Sequence, residues 1–289
     1  MKNKIYILGI TGMLGCELFL RFNRASEYEV RGSTRLISCK QLKKFKNIDF
    51  EISAFNLKKI EKKIKIFKPD YVLNCIGFVK QKIKKFSNSS EVYYLNSVFP
   101  HEISKITKKI GAKLIHFSSD CVFSGEKGNY CETDNPDAHD LYGHSKQLGE
   151  LNKRSDVITI RTSIIGHELK TKNGLLEWFL AQKKKCVGFA NVFFSGLTTF
   201  EVFTFLDLYL FKKNSVSGLI HLSSSKISKY KLLKLISKIY QKKIIIKKDN
   251  KIRINRTLNS KYIERKLFYK CSSWEIMIKQ MYSNKIKNI

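Results

Sequence analysis

The chain opens on an apolar run, Ile5-Tyr6-Ile7-Leu8, which fits one buried strand and is too short for a buried helix. From Met13 the spacing changes. Leu14, Leu18 and Phe22 recur every fourth residue, the period of an amphipathic helix. The same exchange repeats along the first half. Strands are predicted over 4–8, 28–33, 52–55, 71–75, 113–118 and 157–161. Helices are predicted from Met13, over 58–67 ahead of Pro69, over 91–110 up to Gly111, and over 141–153. Strand-helix alternation of this kind predicts an α/β fold, a doubly wound parallel sheet with right-handed crossovers and helices on both faces. After Gly166 the pattern loosens. Helices are expected over 227–241 and 273–281, with an apolar strand Ile244-Ile245-Ile246 between them, and residues 218–222 return a seventh strand to the sheet. The expected division is 1–166 as the main domain and 167–289 mainly as a smaller C-terminal lobe. The apolar stretch 200–211 carries Glu201 and Asp207, so it reads as a core helix and not a membrane span.

Composition narrows the function classes. With 43% apolar residues among 289, the chain buries a sizeable core. The formal charge is +31, from 55 Lys and Arg against 24 Asp and Glu. These lysines are spread along the whole chain, unlike the clustered footprint of a nucleic-acid protein, so no nucleic-acid partner is expected. The charge still steers an anionic substrate such as a diphosphate. Seven cysteines, an odd number without CxxC pairs or zinc-ligand spacing, predict reduced thiols in a reducing compartment and no metal site. Met13-Leu14-Gly15-Cys16 has the look of a lipoprotein cleavage box, but glycines at a regular spacing of three fit a loop after a strand. A cytoplasmic protein without a membrane partner is expected.

That loop is Gly9-Ile10-Thr11-Gly12-Met13-Leu14-Gly15. Between a strand and a helix, such glycines allow a tight turn, close approach of backbone N–H groups to a pyrophosphate, and close helix packing. The helix N-terminus then faces the phosphates. The fold is therefore expected to be of the Rossmann type, with Gly9, Thr11, Gly12, Met13, Leu14 and Gly15 at the dinucleotide. The second strand ends in Gly32-Ser33-Thr34-Arg35, with no acid between Glu29 and Asp49 to hold a ribose hydroxyl. Ser33 and Arg35 suit a 2′-phosphate, so the cofactor is read as NADP, entering as NADPH.

Tyr142 and Lys146 stand four apart at the start of a predicted helix, on one face. An ammonium beside a phenol favours phenolate and lowers its pKa toward working pH. The fifth strand ends in Ser118-Ser119-Asp120, where a hydroxyl can bond a substrate carbonyl. With Ser118-Ser119-Asp120-Cys121-Val122-Phe123-Ser124-Gly125, Tyr142-Gly143-His144-Ser145-Lys146, Arg161-Thr162-Ser163-Ile164-Ile165-Gly166 and Asn74-Cys75-Ile76-Gly77, the chain resembles an extended short-chain dehydrogenase/reductase. More narrowly, it resembles the dTDP-4-dehydrorhamnose reductase family.

The resemblance implies Ser119, Tyr142 and Lys146 as the catalytic set. Tyr142 is the acid, and Lys146 also holds the nicotinamide ribose. It implies Asn74, Gly77, Thr162 and Ser163 at the cofactor, with Asn96 supporting Lys146 through water. Asn56 stands where the family often has an Asp near the adenine. Asp120, Cys121, Val122 and Phe123 border the substrate, and Arg256 meets its diphosphate. Cys121 replaces a common Tyr, which puts dehydrorhamnose itself in doubt as the sugar. The expected reaction is reduction of a nucleotide-linked 4-keto-6-deoxy sugar for polysaccharide biosynthesis, with the nucleotide sugar as partner and, at most, a second copy of the chain as a homodimer. An epimerase or dehydratase that keeps NAD(P) bound stays open as an alternative. So does a non-catalytic nucleotide-binding regulatory subunit.

Overall fold

The computed structural model describes residues 2–83, 89–169, 171–213 and 215–284. Its strands in the first half are β1 (Asn3–Leu8), β2 (Tyr28–Ser33), β3 (Ile48–Asp49), β4 (Tyr71–Asn74), β5 (Lys113–Phe117) and β6 (Val157–Arg161). There follow β7 (Ile164–Ile165), β8 (Lys185–Phe194), β9 (Leu197–Thr198), β10 (Gly218–His221), β11 (Ile227–Ser228) and β12 (Ile245–Asn255). Seven of them form one parallel sheet in the order β10-β6-β5-β4-β1-β2-β3. The chain builds outward from β1 to β3, then crosses back to β4 and builds the other way. Direction reverses between β1 and β4, so a crevice opens beyond their carboxyl ends, where ligands bind in such sheets.

Alternate side chains along each strand enter opposite layers. On β1, Ile5 and Ile7 join the layer that holds Leu18, Phe19, Phe22 and Phe205. Tyr6 and Leu8 join Ile60, Ile64, Phe99 and Ile103 on the other face. The helices Met13–Arg24 and Thr199–Phe205 thus cover one face, and Leu57–Phe67 and Phe99–Lys109 the other. In the C-terminal half, β8 pairs with β12 in parallel and with β11 antiparallel.

Four expectations are corrected. The third strand is Ile48–Asp49, paired with Gly32 and Ser33, not 52–55. Glu51 adopts a left-handed φ of 57°, which turns the chain out of the ladder before Ile52. The helix over 91–110 starts at Ser89 and contains a π-helical turn, Tyr94–Val98. Pro100 has no N–H for the Asn96 carbonyl, so the regular ladder cannot pass through it. The helix after Tyr142 ends at Leu148, not Lys153, because Gly149 breaks it. Finally, the strand at 244–246 is the start of the long β12, and its partner β8 was not foreseen at all.

Candidate active site

The glycine loop closes by backbone bonds. Gly9 has φ +84°, a left-handed conformation that favours glycine. Its N–H and that of Ile10 donate to the Ser33 carbonyl at 3.0 and 3.1 Å, and Gly12 N–H donates to the Gly9 carbonyl at 3.0 Å. A Cβ on Gly15 would collide with that same Gly9 carbonyl, so the helix Met13–Arg24 begins directly at the turn. Gly12 caps this helix without a side-chain bond, and no acid lies in its first turn. Its first N–H groups are thus open to an anion, and the cradle fits a pyrophosphate. Met13 is half-buried at the turn, whereas the Leu14 side chain lies in the core.

At the end of β2 the predicted residues divide. Ser33 is buried, its hydroxyl has no hydrogen-bond partner among the described residues, and it serves the loop through its carbonyl. Thr11 Oγ1 lies 3.4 Å from Thr34 Oγ1. Arg35 is exposed and makes no hydrogen bond or ion pair with a described residue, so its guanidinium stands ready for a phosphate. Asn56 does something different: its Oδ1 accepts from Lys59 N–H at 3.0 Å and caps the helix Leu57–Phe67.

Asn74 is buried at the end of β4. Its Oδ1 accepts from Ile76 N–H at 3.1 Å, which turns its Nδ2 toward His116 Nδ1 at 3.2 Å. Burial holds the His116 imidazole neutral, well below its ordinary pKa. Asn96 sits in the π-helical turn. Its Oδ1 accepts from Phe78 N–H at 2.8 Å, and its Nδ2 donates to Phe78 O at 3.2 Å and Ser145 Oγ at 3.0 Å. Asn96 therefore fixes the loop after Gly77 and the helix of Tyr142, and its Oδ1 and the Lys146 ammonium both lie beside Gly77. A Cβ on Gly149 would collide with the Asn96 carbonyl, so glycine lets this helix approach the π-helical turn.

Lys146 lies one helical turn after Tyr142 and is buried. Its Nζ donates to Phe117 O at 2.7 Å, and a Cβ on Gly77 would sit 3.9 Å from it. Lys146 thus reaches from its helix to both neighbouring strand ends. The helix itself is capped by Asp140, whose Oδ1 accepts from Gly143 N–H at 2.9 Å. Ser119 caps the short helical turn Asp120–Val122, with its Oγ accepting from Cys121 N–H at 3.1 Å and donating to Asp120 Oδ1 at 3.2 Å. The Ser119 side chain acts on the Tyr142 phenol, favouring its ionised form. Ser118 is otherwise engaged, its Oγ donating to Glu150 Oε1 at 2.7 Å.

The electrostatics differ from the expectation that Lys146 lowers the phenol. Burial pushes the Tyr142 pKa up, nearby Cys121 and Asp120 add to it, and the Ser119 hydroxyl offsets only part. Burial also pushes Lys146 down to about 8, against the pull of Glu150. Tyr142 thus stays protonated and can donate, while Lys146, though depressed, remains an ammonium at neutral pH. Asp120 is raised by burial, with Lys229 and then Arg256 opposing. Burial pushes the Cys121 thiol up to about 12, so it is no thiolate nucleophile.

Val122 and Phe123 are fully buried, and Phe123 stacks on Tyr130 at 4.0 Å between ring centroids. They shape the wall beside Cys121 and offer no surface of their own. Thr162 is buried, with its carbonyl accepting from Asp120 N–H at 3.3 Å, and the Ser163 carbonyl accepts from Leu197 N–H at 2.8 Å. Arg256, from the end of β12, reaches across to this rim. Its Nε donates to Phe123 O at 2.7 Å, its Nη1 lies 3.8 Å from Cys121 Sγ, and its Nη2 lies 4.0 Å from Asp140 Oδ2.

Sequence reasoning passed over three residues here. Arg161 was within a quoted motif and Glu150 four residues past another, but neither carried a role. Lys229, whose charge acts on Asp120 and Cys121, gave no signal among so many lysines.

A parallel sheet with a glycine loop at its switch point, and a serine, tyrosine and lysine at the adjoining strand ends, defines the extended short-chain dehydrogenase/reductase class. Within it, the chain belongs to the family described as RmlD substrate binding domain, whose model matches residues 2–187. The chain is similar to the spore coat polysaccharide biosynthesis protein SpsK of Bacillus subtilis, 33% identical over 172 residues, 57% of this chain and 54% of that protein. It is also similar to methionine adenosyltransferase 2 subunit beta of Rattus norvegicus, 27% identical over 149 residues, 52% of this chain and 42% of that protein. The match therefore spans about half the length of these curated relatives. Over the whole chain, the fold matches that of dTDP-4-dehydrorhamnose reductase from Bacillus anthracis, solved in complex with NADP, with a TM-score of 0.81 and 20% identity, covering 99% of this chain and 100% of that one. No helix among the described residues is long and apolar enough to cross a membrane.

Proposed function

We propose that the protein is an NADPH-dependent reductase of a nucleoside-diphosphate-linked 4-keto-6-deoxy sugar. The observation that carries this reading is the buried Lys146 ammonium, one helical turn after Tyr142 and bonded to Phe117 O on the strand that leads into Ser119, on the rim that the glycine loop shares. Residues 1–166, with the return strand β10, hold the dinucleotide, and residues 167–289 mainly hold the substrate. Gly9, Gly12 and Gly15 take the pyrophosphate, Arg35 the 2′-phosphate, and Gly77, Thr162 and Ser163 border the nicotinamide. NADPH, when bound there, supplies a hydride for the keto carbon.

The chain's own residues handle the oxygen and its proton. Ser119 and Tyr142 orient the carbonyl by donating hydrogen bonds to it. As the oxygen gains charge, the Tyr142 O–H proton moves to it, giving the alcohol, and Tyr142 regains a proton from solvent. Lys146 stabilises the transient phenolate and holds the nicotinamide ribose. Arg256 anchors the diphosphate from the C-terminal half. An epimerase or dehydratase of the same architecture would retain NAD(P) through purification.

A second reading, a non-catalytic nucleotide-binding subunit, is favoured by the similarity to a methionine adenosyltransferase subunit. The test is NADPH oxidation across a panel of nucleotide-linked keto sugars. Turnover of a 4-keto-6-deoxy member supports the reductase. NADPH binding without turnover of any member supports the subunit, and tightly bound NAD+ in the purified protein supports the epimerase or dehydratase.

A further inference from the structure

Lys80 lies in the short helix Lys80–Ile83, just past Gly77. Its Nζ donates to Asp140 Oδ2 at 2.6 Å, and Arg256 Nη2 lies 4.0 Å from that same oxygen. Two cations from distant parts of the chain thus converge on one carboxylate oxygen, which leaves the cluster a positive charge in excess. Asp140 is fixed, because its Oδ1 accepts from Gly143 N–H and caps the helix of Tyr142. Arg256 is fixed as well, with its Nε donating to Phe123 O at 2.7 Å. Yet neither of its terminal nitrogens has an oxygen acceptor within hydrogen-bond distance among the described residues, and Nη1 meets only Cys121 Sγ at 3.8 Å. A guanidinium 18% exposed and so poorly served gains from an oxyanion that brings acceptors. Lys80 is 40% exposed on a flexible stem, and an ion pair in that setting contributes little, so a better acceptor takes its ammonium readily. The cluster borders the reacting end of the site. Cys121 N–H donates to Ser119 Oγ at 3.1 Å, and a Cβ on Gly143, next to Tyr142, would collide with Cys121 O.

We propose that Lys80 is a second substrate-binding cation, an arm that rests on Asp140 in the free protein and turns to the diphosphate held by Arg256. This inference rests on the proposed reading of the substrate as a nucleotide-linked sugar. Such a substrate carries one negative charge on each phosphate, so two cations match it, whereas Arg256 alone leaves one charge uncompensated. In a sugar 1-diphosphate the first phosphate sits one ring's width from carbon 4. A cation pair beside Cys121 therefore fits a carbonyl held at Ser119 and Tyr142. Asp140 keeps the two cations together without a ligand, and it repels the phosphates that take its place. Another lysine on this side of the molecule lacks the arrangement. Lys127 also donates to an aspartate at 2.6 Å, Asp134, but no second lysine or arginine among the described residues pairs with that carboxylate.

The experiment compares wild type with Lys80→Met, Lys80→Arg, Asp140→Asn and, as a control, Lys127→Met. Calorimetry, with NADP+ in excess to fill the glycine loop, measures Kd for dTDP, UDP and GDP, and the tightest of the three is carried through the variants. Lys80→Met is expected to weaken that diphosphate by about 5- to 30-fold, and Lys80→Arg to stay within about threefold of wild type. Asp140→Asn, which can still cap the helix, is expected to tighten it by about three- to tenfold. Lys127→Met should change it by less than about twofold. No loss in Lys80→Met, an equal loss in Lys127→Met, or weaker binding in Asp140→Asn would overturn the arm, as would a wild type that binds none of the three diphosphates. These constants do not depend on turnover. Should wild type reduce no keto sugar while Lys80→Met still loses the diphosphate, the reductase reading fails and the arm stands.

Discussion

Arg161 and Glu150 face each other across two hydrogen bonds of 2.7 Å, with both side chains 2% exposed. Ser118 donates to the same carboxylate, and Arg161 Nη1 lies 3.3 Å from His221 Nε2. The guanidinium also stands over the Phe123 ring, 5.0 Å from its centroid. This pair ties the end of the Tyr142 helix to β6 and to the wall beside Cys121. Removing one partner leaves a buried charge uncompensated. Glu150→Ala should therefore cost about 3–5 kcal/mol of unfolding free energy in urea titration. Replacing both with Met should cost much less than the two single changes added together. Simple additivity would contradict a coupled pair.

Arg35 has no hydrogen-bond or ion-pair partner among the described residues, so its loss should affect chiefly a ligand. Arg35→Ala should raise the NADPH Kd by roughly 10- to 100-fold, the loss of a charge-assisted contact, and change the NADH Kd by less than about threefold. Fluorescence titration of both nucleotides reads this. An equal change in both would remove Arg35 from the 2′-phosphate.

Lys146 and Lys229 are both depressed to about 8 by burial. Unfolded lysine titrates near about 10.4. Between these values the unfolded chain holds protons that the folded chain has released, so the contribution of the two lysines to stability rises with pH. Below about pH 8 both states are protonated and the burial penalty is felt in full. Wild type should thus gain on a Lys146→Met/Lys229→Met variant as the pH goes from about 7.5 to 9.5. Parallel stability profiles for the two proteins would contradict these depressed values.

What could be read from the sequence was local. The glycine loop, the Tyr142 and Lys146 spacing and the first six strand-helix alternations depend on neighbours in the chain, and all but the third strand lie close to where they were expected. The third strand failed because the left-handed turn at Glu51 is invisible in an apolar pattern. β8 failed because small residues, Cys186 and Gly188, occupy the buried positions of its first half and leave no alternation to detect. β12 is mostly exposed and rich in lysine, so only its first apolar residues read as a strand. At the site, Asn96 was assigned by resemblance, and its bonds to Phe78 and Ser145 form only when the folded chain brings these residues together.

The central claim concerns one proton, and stopped-flow single turnover reads it most directly, with NADPH-loaded protein mixed with a nucleotide-linked 4-keto-6-deoxy sugar. Tyr142→Phe keeps the ring and removes the donor. The account predicts an NADPH Kd within about twofold of wild type and a hydride-transfer rate lower by roughly 10²- to 10⁴-fold. An unchanged rate in Tyr142→Phe would contradict it.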